Sequence, residues 1–411
     1  MKKIFLLATG MYLSFTAYTV RGQVNDPNQV AKDNAANHAN NDMDNAANKG
    51  LDKAEQGIGN LFKKKNKDKK QDASSSNSQQ TTQNNQSNNN ASGSGQQASL
   101  KTYTNYDFVP GDKIIFSSQL TDEKTGEIPS QFALGEGQAD IQSEDGQNVI
   151  RIPKGDGATF TPRMTSQTYM PDQFTVEFDF KNERFGLAHV NINFGNGDGI
   201  IREINFGNGD GLAWTTGDVS YPEQLQVGTD QAMTWHHVAI AINKNAGKIY
   251  IDQFRVTNVN NLEGKAKSVN FVIAGYETSF IKNIRIAAGG IDIYKKITTD
   301  AKIITHGILF DVDKSTLKPE SMGTINQIFD LLKKDASLKF EIDGHTDNSG
   351  NPQHNIQLSQ QRADAVKAQL VSMGIDASRL TTKGFGDTKP MSDNNTPEGK
   401  ENNRRVEFVK I

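Results

Sequence analysis

The chain has 411 residues, enough for two or three domains, but only 35% of them are hydrophobic. That leaves too little apolar material for the whole length to fold, so part of it is expected to stay disordered. A net charge of −3 exerts no general pull on nucleic acid, and the absence of cysteine excludes disulfides, thiolate metal sites and thiol nucleophiles.

The opening MKKIFLLATGMYLSFTAYTVRGQ places Lys2 and Lys3 before an apolar run from Ile4 to Val20, with Gly22-Gln23 following. The Thr, Ser and Gly content of the run and its position favour an export signal over 1–23 rather than a retained membrane anchor. From 24 to 72 the chain is rich in Asn, Ala, Asp and Lys, and the five-mer DNAAN occurs at 33–37 and 44–48. A short amphipathic piece carrying Leu51, Ile58, Leu61 and Phe62 runs into KKKNKDKK at 63–70. This reads as a solvated, frayed helix, with attraction to an anionic surface as the other reading. Residues 73–99 contain only Ser, Asn, Gln, Thr, Ala and Gly, with no charge and no core residue. Such a stretch cannot offset its own ordering entropy, so 24–99 is expected to be a largely disordered leader and tether.

Residues 101–295 read as all-β. In FTVEFDFK (174–181), Phe174, Val176, Phe178 and Phe180 alternate with Thr175, Glu177, Asp179 and Lys181. That pattern predicts a half-buried strand with the acids on its solvated face. HHVAIAIN (236–243), the loop NKNAGK and IYID (249–252) predict a hairpin. Many short strands between Gly, Asn and Asp turns imply a β-sandwich. The stretch from FTVEFDF to KIYID resembles the concanavalin A-like and laminin-G-like jelly-roll families.

Several features of this region invite chemical readings. NFGNGDG occurs at 193–199 and 205–211, but each copy offers one carboxylate, Asp198 or Asp210. Calcium needs six to eight oxygens, so two hairpin turns are the better reading. Glu177, Asp179 and Glu183 invite comparison with jelly-roll glycosidases, yet Glu183 lies too far along to share their face. His236 and His237 point to opposite faces of a strand and do not jointly hold a metal. Trp214 and Trp235 fit a core or rim role better than a sugar platform. No catalytic residue, metal ligand or cofactor is assigned.

After Ala301 strands and helices alternate. ITHGILF (304–310), LKFEIDG, LTTKGFG and RRVEFVK read as strands. Met322, Ile325, Ile328, Phe329 and Leu332 mark one helical face, with Pro319 suited to the first turn. A second helix is expected to start at Ser359 as N-cap, to carry Ala363, Val366, Leu370 and Met373, and to close at Gly374. The order is βαβαββ, an α/β sandwich over 300–411.

Within it Asp347 and Arg362 stand fifteen positions apart. The spacing alone favours a structural ion pair. However, FDVDKSTL, DGHTDNSG, NIQLSQQRADAV, TTKGFGDTKP and NNRRVEF occur in the order and spacing of the OmpA-like peptidoglycan-binding domain, which residues 303–411 resemble. The resemblance implies non-covalent binding of the diaminopimelate in peptidoglycan stem peptides, with Asp347 and Arg362 as the key acid and arginine. Asp311, Val312, Asp313, Thr346, Asn355, Asn403 and Arg404 match positions implied to line the pocket. Chemically, Asp347 suits the ammonium and the planar fork of Arg362 suits the carboxylate of one α-amino-acid centre. A helix beginning at Ser359 would add its N-terminal dipole at Arg362.

The expected protein is a non-enzymatic wall anchor, exported to the periplasm and associated with the outer membrane. Two alternatives stay open. The β domain could be a lectin-like or partner-docking module for outer-membrane proteins or glycans, or residues 101–295 could form an outer-membrane barrel.

Overall fold

The structure, a computed structural model, describes residues 100–411 except 156, 183–189, 196–199, 207–211, 215–216, 220–232, 261, 263 and 291–292. The export signal, the leader and its repeats lie outside the described residues, as do Glu183, Asp198 and Asp210.

The described residues, from Leu100 to Ile411, belong to one compact unit. Its first part is two facing sheets built from β1 (Lys113–Ser118), β2 (Phe132–Gly137), β3 (Asp140–Glu144), β4 (Gln147–Ile152), β5 (Ala158–Pro162), β6 (Gln173–Asn182), β7 (Val190–Gly195), β8 (Ile200–Phe206), β9 (Leu212–Trp214), β10 (Gly217–Val219), β11 (His236–Asn243), β12 (Ala246–Ile251), β13 (Phe254–Val259), β14 (Ser268–Ile273) and β15 (Ser279–Ala288). One sheet runs β13-β12-β11-β6-β15-β4-β3, with β1 also paired to β15; the other runs β10-β9-β8-β7-β14-β5-β2. The two NFGNGDG segments lead from β7 to β8 and from β8 to β9, both antiparallel pairs. The β11–β12 hairpin turns through Lys244 and Asn245, with Lys244 at φ 55°.

Between the sheets lies one apolar core. Phe174, Val176, Phe178 and Phe180 of β6 meet Phe160, Phe194 and Phe271 of the facing sheet. This is the alternation read from the sequence. Its complement is not solvated: Thr175, Glu177 and Lys181 are buried as well. A period-two pattern says which residues share a face, but not whether a second layer covers that face.

The covering layer is the C-terminal part. Helix α1 (Ile293–Thr299) leads into β16 (Lys302–Thr305), α2 (Met322–Lys334), β17 (Phe340–His345), α3 (Pro352–Ser372), β18 (Leu380–Gly386), α4 (Pro397–Asn403) and β19 (Val406–Lys410). The sheet order is β16-β19-β17-β18, with β17 and β18 parallel and the remaining pairs antiparallel.

Three sequence expectations change here. The strand expected over 304–310 stops at Thr305, where the buried His306 bonds to the Asn402 carbonyl at 3.0 Å instead of continuing a ladder. The βαβαββ order gains α4 before the last strand; its seven residues carry too little apolar periodicity to announce it, although Thr396 caps Gly399 N–H and Pro397 occupies the first turn. Helix α3 begins two turns earlier than Ser359. Asn351 is its N-cap, accepting from the N–H groups of Gln353 and His354, with Pro352 behind it. Ser359 is mid-helix; its hydroxyl donates to the Ile356 carbonyl and accepts from Gly386 N–H.

The second core joins these elements to the sandwich. Tyr103, Tyr106 and Phe108 pack with Ala239 and Tyr250 of the first sheet and with Ile325, Phe340, Val366 and Phe408. Tyr106 and Phe108 both meet the Tyr250 ring, at centroid distances of 5.5 and 5.4 Å. A Cβ on Gly323 of α2 would stand 1.8 Å from the Phe108 carbonyl oxygen, so only glycine permits this approach.

Candidate functional site

The acid of the site stands just past β17. Two glycines set its position against the helix that carries Arg362: a Cβ on Gly344 would meet the Ser359 carbonyl at 2.2 Å, and one on Gly384 the Gln360 nitrogen at 2.4 Å. Helix α3 therefore lies directly on β17 and β18. The loop between them turns at Gly350 (φ 82°) into the Asn351 cap.

Asp347 is buried. Its Oδ1 accepts from Ser349 N–H at 2.8 Å and its Oδ2 from Arg404. Burial by itself would raise this carboxyl; the Arg404 charge and the Ser349 bonds outweigh it and hold Asp347 below the usual carboxylate range. Asn355, also buried, donates to the carbonyls of Asp347 and Ser349 at 3.3 and 3.0 Å and so fixes the loop.

Arg362 lies in the third turn of α3, remote from the helix N-terminus, so the dipole invoked for it acts elsewhere. It does not pair with Asp347. Its Nε donates to the Lys314 carbonyl at 3.0 Å and its Nη2 lies 3.5 Å from that of Asp311, while its guanidinium stands 5.0 Å from the Phe310 ring centre. Among the described residues no carboxylate lies within ion-pair distance of it. Burial and then the nearby Arg404 charge lower its pKa, against the opposing pull of Asp313 and Asp347. Arg404 is thus held by two acids, Asp347 and Glu401, while Arg362 is left with backbone carbonyls and an aromatic face.

The remaining sequence-assigned residues divide. Arg404 is central, shared between Asp347 and Glu401. Asp311 contributes its backbone carbonyl, and Val312 is 76% exposed at the mouth of the same loop. Asp313 meets His354 Nε2 at 2.6 Å across the rim. Thr346 is buried with its hydroxyl unpartnered, and its N–H donates to the Gly386 carbonyl. Asn403 is fully buried: it accepts from the N–H groups of Met391 and Ser392 and donates to Ser392 and Asn394. Its role in this geometry is to hold the 391–394 loop.

Sequence reasoning missed Glu401, Ser349 and Phe310. The one available signal for Glu401 was its i,i+3 spacing to Arg404.

A second cluster lies on the sheet. Ligand atoms of Asp343, His345 and Glu407 fall within 4.8 Å of one another, and the donor set would suit a divalent cation. Both Glu407 oxygens, however, already accept from cations, Arg405 at 2.7 Å and Lys302 at 3.0 Å. An added ion would meet two like charges there.

In the sandwich, Glu177 accepts from Arg285 Nε at 3.0 Å and Nη2 at 2.7 Å, and the two residues are direct cross-strand partners. His237 faces Asp179 at 2.8 Å, while His236 bonds separately to Asp252. Trp235 is half-buried at the rim with the ammonium groups of Lys181 and Lys282 over its ring. The Trp214 side chain lies outside the described residues.

Residues 309–404 match the model of the OmpA family. Probable lipoprotein YiaD of Escherichia coli (strain K12) is 41% identical over 104 residues, 25% of this chain and 48% of that protein. Outer membrane protein A of Bordetella avium is 42% identical over 109 residues, 26% of this chain and 56% of that protein. Peptidoglycan-binding protein ArfA of Mycobacterium tuberculosis (strain ATCC 25618 / H37Rv) is 40% identical over 107 residues, 26% and 33% of the two chains. The chain spans only a third to just over half of these relatives' lengths. Residues 309–404 form an OmpA-family domain.

Proposed function

We propose that the chain is a non-enzymatic anchor that binds peptidoglycan through the diaminopimelate of its stem peptides. The observation that carries this reading is the buried Asp347 beside Arg362, an arginine with no carboxylate partner among the described residues. A free α-amino-acid centre presents one ammonium and one carboxylate. Asp347 takes the first by charge-assisted hydrogen bonds, and Arg362 the second. We assign Asn355, Thr346, the 311–313 loop and Arg404 to the same site.

Residues 1–23 then direct export to the periplasm, 24–99 tether, 101–295 form a jelly-roll-like domain, and 300–411 hold the outer-membrane-associated assembly to the wall. Hydrolysis by the sandwich fits poorly, because Glu177 is buried with both oxygens engaged by Arg285. A membrane barrel also fits poorly, because the large apolar side chains of both sheets turn toward each other. We assign a glycan or protein partner of this domain to the loops at one end of the sandwich.

The test is co-sedimentation of the full chain with purified diaminopimelate-type sacculi. Wild type is expected in the pellet, and Asp347→Ala and Arg362→Ala in the supernatant with unchanged circular dichroism. Pelleting of both variants at the wild-type level would overturn the reading.

A further inference from the structure

The face of the sandwich that the C-terminal part covers is charged, and its charges continue into the pocket. Glu177 on β6 holds Arg285 on β15. Arg285 Nη1 donates to the His306 carbonyl at 3.1 Å and stands 3.6 Å from Glu401 Oε1 on α4. Glu401 Oε2 accepts from Arg404 and from Gln119 Nε2, the latter at 2.8 Å, and Arg404 reaches Asp347. Five buried or half-buried groups of alternating sign therefore run from the sandwich to the acid of the site.

Each link changes the next. Burial opposes every one of these charges, and each is sustained by its neighbours: Glu177 and Glu401 are held ionised by arginines, and Arg285 and Arg404 are held protonated by acids. The junction is also stiff. Asn402, next to Glu401, accepts from Ile114 N–H and donates to the Ile114 carbonyl, both at 3.1 Å, so that α4 caps the edge of β1. Ser117 N–H adds a bond to Glu398 at 3.3 Å.

Building on the site reading above, we infer that Glu401 is a positioning residue for ammonium recognition, and that Arg285 of the sandwich tunes it. Arg404 competes with an incoming ammonium for Asp347. Glu401 draws Arg404 away from Asp347, and Arg285 draws on Glu401. The two substitutions should therefore act in opposite directions. Glu401→Gln releases Arg404 onto Asp347 and weakens ammonium binding. Arg285→Met combined with Glu177→Gln leaves Arg404 as the cation on Glu401 and strengthens ammonium binding, without stranding a buried charge.

The probes are a soluble muropeptide with a free diaminopimelate ammonium and the same muropeptide acetylated on that nitrogen, titrated calorimetrically into the full chain. The readout is the affinity ratio of the two. Glu401→Gln should lower the ratio by about tenfold, less than the roughly thirtyfold or more found when a contacting partner of a buried charge pair is removed, because Glu401 acts on Asp347 only through Arg404. The double variant should raise it several-fold, and Arg285→Lys with Glu177 intact should return it to the wild-type value. General loosening of the fold would move both variants the same way, so same-sign changes or an unchanged ratio overturn the inference. A wild-type ratio near one, or one unaffected by Asp347→Ala, would instead overturn the site reading itself.

Discussion

Asp343 and His345 sit two positions apart on β17, yet burial moves their protons in opposite directions. Burial, then the charges of Glu341 and Glu407, raise the Asp343 carboxyl from 3.8 to about 6. Burial, then Arg405, lowers His345 from 6.5 to about 4. The folded carboxyl keeps its proton up to about 6 while the unfolded one loses it near 3.8, so stability from Asp343 is lost as pH rises through that window. For His345 the unfolded ring takes a proton near 6.5 and the folded ring only near 4, so stability is lost as pH falls between them. Asp343→Asn should therefore raise stability at pH 7.5 by about 1–2 kcal/mol after solvent screening, and by nothing at pH 3.5. Urea midpoints at the two pH values decide this; an equal gain at both would point to packing rather than charge. Asp347 titrates the other way. Its depressed value predicts that muropeptide binding survives as pH falls through the ordinary carboxylate range and fails only below it.

Helix α3 carries both the cap that closes the Asp347 loop and Arg362, the arginine proposed to take the ligand's carboxylate. Asn351→Ala removes the acceptor of two helix N–H groups. A loss of about 1 kcal/mol is expected in thermal or urea unfolding, with weaker muropeptide binding because the loop ahead of the cap loosens. Gly344→Ala should be harsher. Its Cβ would meet backbone, which cannot turn aside like a side chain, so α3 must lift off β17. We expect about 1–3 kcal/mol of destabilisation and a loss of binding that Ser359→Ala does not reproduce. Unaltered binding in Gly344→Ala would mean that the helix-to-strand spacing does not set the pocket.

The sandwich and the C-terminal part share an apolar core and a charged face, so residues 100–411 should unfold as one. Calorimetry of the full chain is expected to show a single endotherm for these residues. Phe108→Ala, which empties a position 2% exposed between Tyr106 and Tyr250, should cost about 3–5 kcal/mol and split that endotherm. Two separate transitions in the wild type would show that the junction contributes little. Segment 100–110 is the least obvious participant: from its sequence it heads the sandwich, but Tyr103 and Phe108 join the core beneath α2.

Local chemistry was legible wherever a residue's own neighbours decided the outcome. The alternation of Phe174 to Phe180, the α2 stripe from Met322 to Leu332 and the Gly374 stop all follow from periodicity and backbone freedom. The linked motifs around Asp347 and Arg362 likewise pointed to the OmpA family without coordinates. Tertiary contacts decided the rest. Glu177 meets Arg285 across two strands of its own sheet, but the covering of that face depended on a layer arriving from beyond residue 300, whose Glu401 and His306 reach Arg285. The start of α3 depended on whether Asn351 or Ser359 found helix N–H groups to accept from, and both are good caps in isolation. Asp347 chose Arg404, fifty-seven positions away, over Arg362, fifteen away. Periodicity reports the face on which a side chain lies, whereas partner choice among buried charges is set by which layers close over them.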